Sequence, residues 1–152
     1  MRRFYDAPAV SEIDHDALEL ATTWFTAARA MTVAAGHIDP SREATAGLYG
    51  RAILGLNEET CLAAKTPEQV GSRTLLDCLA SIAQLPRSVS AKLVTGIVLI
   101  AYADASMHPL EVRWTSSMAS AAGLTESSFQ ACCVNARVIA SMMVDPHEEP
   151  QA

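Results

Sequence analysis

Two acidic residues, Asp104 and Glu111, flank a short loop that follows the most apolar stretch of the chain. Leu93, Ile97, Ile100 and Asp104 recur at helical spacing, so the Asp104 carboxylate extends an apolar stripe and lies near the end of a helix. The helix dipole disfavours an anion at that end by roughly 0.3–1 kcal/mol. The sequence therefore predicts a compensating partner for Asp104, either a metal ion or the amides and hydroxyls of its own loop.

Calcium and magnesium both prefer hard oxygen ligands, which the carboxylates of this region would supply. Asp39 and Glu43, which follow the first long helix, could join Asp104 and Glu111 if the two halves of the chain pack together. The alternative is structural, because Glu111 is the third residue of the helix that Pro109 begins, where a glutamate accepts a hydrogen bond from the cap amide. Both interpretations remain open, and the structural one is favoured.

Two loop histidines, His37 and His108, are further candidates for chemistry. A histidine directly before Pro109 is more typical of a solvent-facing cap residue than of a ligand or base. The chain has no nucleophile elbow, Walker loop or dinucleotide fingerprint, so we predict that it is not an enzyme. His37 and His108, with Met142 and Met143 of the weakly charged segment "VIASMMV", instead form a candidate interaction surface.

The elements that would position these residues are all helical. Half of the residues are hydrophobic but only 5% are aromatic, and alanine is abundant, which favours closely packed helices. Caps and periodicity predict seven helices. The first three span about Asp14 to Ala34, Pro40 to Leu54, and the segment "NEETCLAA" after Gly55. The fourth begins with a capping box at Thr66 and buries Leu75, Leu76, Leu79 and Ile82. The fifth, sixth and seventh begin at Ser88, Pro109 and Thr125.

Composition also limits the setting of the protein. We expect one domain over residues 11–144, a frayed segment 1–10 and a disordered tail 145–152. The net charge of −6 and the lack of a basic stripe argue against nucleic-acid binding. We expect no signal peptide, no membrane span, a cytoplasmic location and four reduced cysteines. A homodimer and a peripheral membrane association are left open.

An internal repeat runs through the chain. "AAGHIDPSRE" (34–43) is similar to "ADASMHPLE" (103–111), with Pro40 matching Pro109, and "GLNEET" (55–60) is similar to "GLTESS" (123–128). The two segments of the first pair are offset by 69 residues and those of the second pair by 68, so the first copy of the repeat has one extra residue. We place that residue between Pro40 and Glu43, which turns Glu43 by about 100° around its helix relative to Glu111. The order of elements predicts two repeats related by a pseudo-twofold rotation.

The segment from Asp104 to Glu111 resembles the "aDG-x-I-x-P-x-E" motif of the tellurite-resistance TerB-like family, and the resemblance extends over roughly residues 15–137. It implies an orthogonal bundle of seven or eight helices, with acidic loops that form a metal-binding or polar interaction surface. It also implies a role in tellurite resistance, other stress responses or phage defence. In some relatives the TerB-like domain is fused to a DnaJ-type co-chaperone. The sequence departs from the motif at Ala105 and Ala35, which replace a glycine and an aspartate.

These features together predict a non-enzymatic, TerB-like interaction module of a stress-response pathway. The alternative is a divalent-cation sensor that uses the acidic loop from Asp104 to Glu111, binding a calcium or magnesium ion.

Overall fold

The computed structural model describes residues 14–35, 40–66, 68–69, 73–102 and 108–142. These residues form seven α-helices, a short helical stretch at 68–69 and no strand, which confirms the predicted all-α class. The helices are α1 (His15–Ala35), α2 (Pro40–Ala52), α3 (Glu58–Ala64), α4 (Leu75–Gln84), α5 (Arg87–Tyr102), α6 (Pro109–Ala121) and α7 (Glu126–Met142). The predicted frayed and disordered segments, 1–10 and 145–152, lie outside the described residues.

Helix α5 forms the centre of the bundle. Every residue from Leu93 to Ala101 is buried, and α5 packs against α1, α2, α6 and α7. Gly96 permits the closest approach, because a Cβ at this position would lie 2.5 Å from the Trp24 ring and 2.6 Å from the Tyr49 ring. The Tyr49 hydroxyl donates a 2.6 Å hydrogen bond to the Lys92 carbonyl, which ties α2 to the same helix.

The two halves repeat the same local features in the same order. Helices α2 and α6 each have 13 residues and begin at a proline, Pro40 or Pro109. Gly55 and Gly123 follow them with φ of 73° and 69°, a left-handed conformation that suits glycine at the end of a helix. The repeated order of elements agrees with the prediction, and the pseudo-twofold superposition of the two halves stays a prediction.

The next helix of each half has an equivalent cap as well. The Asn57 side chain accepts a hydrogen bond from the Thr60 amide at 2.8 Å, and the Thr125 hydroxyl accepts one from the Ser128 amide at 3.1 Å. In each pair the acceptor and the donor are three residues apart. The similarity of "GLNEET" to "GLTESS" therefore reflects two helix starts built in the same way.

The extra residue of the first repeat lies elsewhere than predicted. Helices α2 and α6 match from first to last residue at a spacing of 69, so no residue is inserted between Pro40 and Glu43. The spacing falls to 68 only after the helices, where Ile53 and Leu54 precede Gly55 but Ala122 alone precedes Gly123. Glu43 therefore does not correspond to Glu111.

The start of α4 also differs from the prediction. The Thr66 hydroxyl donates to the Ala63 carbonyl at 3.0 Å, and residues 68–69 just after it are helical. Residues 73 and 74 are not helical, so this turn does not continue into α4. The capping box is formed by Thr74 and Asp77, and α4 begins at Leu75. Leu75 and Leu76, predicted to be buried, are in its exposed first turn, whereas Ile82 is buried.

The four cysteines are free thiols, as predicted. Burial raises the pKa of the Cys78 thiol to about 12, which keeps it protonated and unreactive at neutral pH. No helix within the described ranges has the length and apolarity needed to cross a bilayer.

Candidate functional site

The N-terminus of α6 holds residues 108–111, the part of the acidic motif that the structure describes. Glu111 Oε1 accepts a 2.8 Å hydrogen bond from the His108 amide, and His108 Nδ1 accepts a 3.1 Å hydrogen bond from the Leu110 amide. Both side chains therefore satisfy amides that the first turn of a helix leaves without partners. The predicted cap roles of His108 and Glu111 are confirmed, and His108 is exposed.

The second carboxylate oxygen of Glu111 meets a buried cation. Arg42 Nη1 lies 2.7 Å from Glu111 Oε2, and each side chain is at most 2% exposed. Arg42 Nη1 also donates to the Met31 carbonyl at 3.4 Å, at the C-terminal half of α1. The ion pair thus joins α2 to α6, and through Met31 it also touches α1.

Arg42 and Glu111 occupy equivalent positions in the two repeats. Each is two residues after the proline that begins its helix, and the two are 69 residues apart. Equivalent residues come into contact when they lie beside the axis that relates two repeats. Opposite charges at these two positions therefore give a pair, where two glutamates would repel each other.

Sequence reasoning missed Arg42. The signal was available, since a spacing of 69 carried through from Pro40 and Pro109 aligns Arg42 with Glu111. Placing the extra residue before Glu43 instead aligned Glu43 with Glu111 and so hid the match to Arg42. Glu43 corresponds to Val112 instead, and both are exposed.

The described residues do not fit a metal site at Glu111. A divalent cation beside Glu111 Oε2 would face the Arg42 guanidinium, which already neutralises that carboxylate at 2.7 Å. Within the described ranges no group of three or more histidine, cysteine or acidic side chains could hold a metal ion. Asp39 and Asp104, the two other loop acids proposed as ligands, lie outside those ranges, as does His37.

The C-terminal helix α7 presents the other candidate surface. Its buried residues Cys132 and Ala136 face the core, while Val134, Val138 and Met142 are 56%, 52% and 77% exposed. Residues four apart lie on one face of a helix, and this face points away from the buried one. We call Val134, Val138 and Met142 the α7 stripe. It contains the predicted Met142, whereas Met143 is outside the described residues.

A second polar cluster joins α1 to the start of α4. Arg73 Nη2 lies 2.6 Å from Glu19 Oε1, and the Ser81 hydroxyl donates to Glu19 Oε2 at 3.4 Å. The hydrogen bond from Arg73 holds the pKa of Glu19 below its ordinary value. Since this cluster connects two helices, we assign it a structural role.

Comparison of this chain with protein-family models, with curated proteins and with solved structures finds no match. The resemblance to the TerB-like family therefore rests on the loop motif and the repeat.

Proposed function

We propose that the protein is a non-enzymatic, TerB-like interaction module of the cytoplasm that works in a stress-response pathway of the tellurite-resistance or phage-defence kind. The pathway rests on the resemblance of the loop from Asp104 to Glu111 to the TerB-like motif, and the location rests on the mildly acidic composition. The single observation that supports an interaction role is the α7 stripe, an apolar face that no described residue covers.

The linear arrangement of the stripe suits contact with another helix. Its three side chains follow one line along α7, over roughly 12 Å at 1.5 Å per residue. A partner helix laid beside α7 can insert its own apolar side chains on either side of such a line. The occupant that we propose is accordingly the apolar face of an amphipathic helix from another protein.

A second copy of this chain fits the stripe less well. The three side chains expose on the order of 300 Å² of apolar area, the lower end of the range for the largest apolar patch on a typical monomer, which is often functional. A stable dimer buries about 800 Å² on each partner. Another copy would add only the same short stripe, whereas a longer partner helix can extend its contacts beyond it.

A divalent-cation sensor is the second function that the sequence suggests, and the geometry favours it less. Glu111 is the only described carboxylate of the acidic loop, and its charge is already balanced by Arg42. A cation would have to displace a buried guanidinium, which would be left without its partner in the core.

Site-specific photo-crosslinking tests the interaction role. A photoreactive amino acid replaces Val138 in the stripe or, as a control, Leu62, which is 62% exposed on α3. In native host cells we expect one heterologous adduct at position 138 that is lost in a Val134→Asp background and does not form at position 62. A self-adduct at position 138, or the same adducts at both positions, would contradict the proposed partner.

A further inference from the structure

A groove of about 320 Å³ lies between α1 and α2, on a different part of the molecule from the α7 stripe. Its floor is apolar, since it is formed by Phe25, Ala28 and Ala46, which are all buried. This volume is at the lower end of the range of small-molecule sites, which are concave, mostly apolar and carry a few polar groups. The groove has the dimensions of a small organic molecule and is too small for a folded segment.

The charged residues of the groove are mainly basic, although the whole chain is acidic. Arg29 and Lys65 are exposed on its rim, and the described residues place no carboxylate within ion-pair distance of either. Lys65 Nζ lies 4.8 Å from the centre of the Phe25 ring, so a cation stands directly over the apolar floor. Arg42 also lines the groove, but its charge is balanced by Glu111.

One carboxylate limits the charge that the groove can accept. Glu43 is exposed and lines the same groove as Arg29 and Lys65. Two cations and one anion leave a small positive excess. This excess favours a ligand with a single negative charge over a polyanion, because a second negative charge would be repelled by Glu43.

We propose that this groove binds a small amphiphilic monoanion, with a carboxylate head near Lys65 and Arg29 and a short apolar chain on Phe25, Ala28 and Ala46. The head gains charge-assisted hydrogen bonds from the two cations, and the chain leaves water for an apolar floor. The site is independent of the α7 stripe, so the protein would carry a ligand-binding site in addition to its protein-docking face.

The two lysines of the chain, Lys65 and Lys92, make a direct test available. Reductive methylation with a ¹³C label preserves the positive charge and gives each lysine its own NMR signal, with Lys65→Gln and Lys92→Gln providing the assignments. Lys92 is exposed on α5 and does not line the groove, so it is the matched control. Sodium octanoate is the probe.

We expect octanoate to shift the Lys65 signal saturably and to leave the Lys92 signal unchanged. Neutral octanol should bind at least about tenfold more weakly, because it lacks the charge that both cations contact. Calorimetry should show that octanoate also binds Lys65→Gln at least about tenfold more weakly, because this variant removes one of the two charge-assisted contacts. Lys92→Gln should bind octanoate as the wild type does. Octyl phosphate is titrated in the same way. If it binds more tightly than octanoate, the ligand has a phosphate head, and the proposal of a monocarboxylate is wrong. Equal shifts of both lysines, or equal binding of octanol and octanoate, would overturn the site itself.

Discussion

At the scale of single residues, the Arg42–Glu111 pair explains how a carboxylate of the acidic motif can be buried. Glu111 gives one oxygen to the His108 amide and the other to the Arg42 guanidinium. Placing two charges in the core requires that both be paired, because an isolated buried charge is strongly unfavourable. The sequence predicted the first contact, which is local. It did not predict the second, because Arg42 is 69 residues away and is identified only when the two repeats are aligned correctly.

The ion pair makes a stability prediction. Arg42→Met and Glu111→Gln should each lower the free energy of unfolding by about 3–5 kcal/mol, since each leaves one buried group without its charged partner. The double variant should be more stable than the sum of the two losses implies, because it leaves no unpaired charge. Urea unfolding of the four proteins measures the coupling. Strictly additive losses would show that the two charges do not interact.

At the scale of elements, the sequence predicted helices well where local chemistry determines them. Pro40 and Pro109 begin α2 and α6 as expected, and the apolar run of α5 is buried throughout. The predicted start of α4 was wrong because two segments, at Thr66 and at Thr74, both carry the residues of a helix cap. Residues 73 and 74 interrupt the helical turn that follows Thr66, so α4 starts from the second cap.

Helix packing around Gly96 makes the second prediction. Gly96→Ala should destabilise the protein by about 3 kcal/mol, the upper part of the usual range for overpacking, because its Cβ would overlap the Trp24 and Tyr49 rings. Gly47→Ala is the matched control, since its Cβ would meet only Lys65 Nζ at 3.9 Å. Alanine is also the better helix former, so Gly47→Ala should be neutral or stabilising by up to about 1 kcal/mol. Thermal unfolding of both variants checks this, and equal melting temperatures would contradict the close approach.

The contact between α1 and Arg73 makes a prediction about pH. Because Arg73 lowers the folded-state pKa of Glu19, the charged form of Glu19 stabilises the fold above its unfolded value of 4.5. That contribution is lost as the pH falls below 4.5 and through the lowered pKa. Glu19→Gln should therefore reduce the melting temperature at pH 7 and flatten its decline in acid. Glu59→Gln, on an exposed residue of α3, should keep the wild-type profile, and a Glu19→Gln profile parallel to the wild type would refute the linkage.

At the scale of the whole molecule, the repeated order of elements was predictable because helix starts and ends are encoded locally, in Pro40, Pro109, Gly55 and Gly123. The surfaces were less predictable, since exposure depends on which faces the other helices cover. Val138 and Met142 belong to the weakly charged segment "VIASMMV" that was anticipated, but Val134 was recognised as part of the same line only from the packing of α7 against α5.

The central claim is that the α7 stripe docks a partner helix, and the affinity of the crosslinked partner tests it most directly. The partner is purified and titrated calorimetrically against the wild type, Val138→Asp in the stripe and Leu62→Asp on α3, both of which replace an exposed apolar side chain. Burying an unpaired carboxylate in an apolar contact costs at least about 1.4 kcal/mol, which is tenfold in affinity. We predict that Val138→Asp weakens binding at least tenfold while Leu62→Asp leaves it unchanged. Equal affinities for Val138→Asp and the wild type would contradict the account.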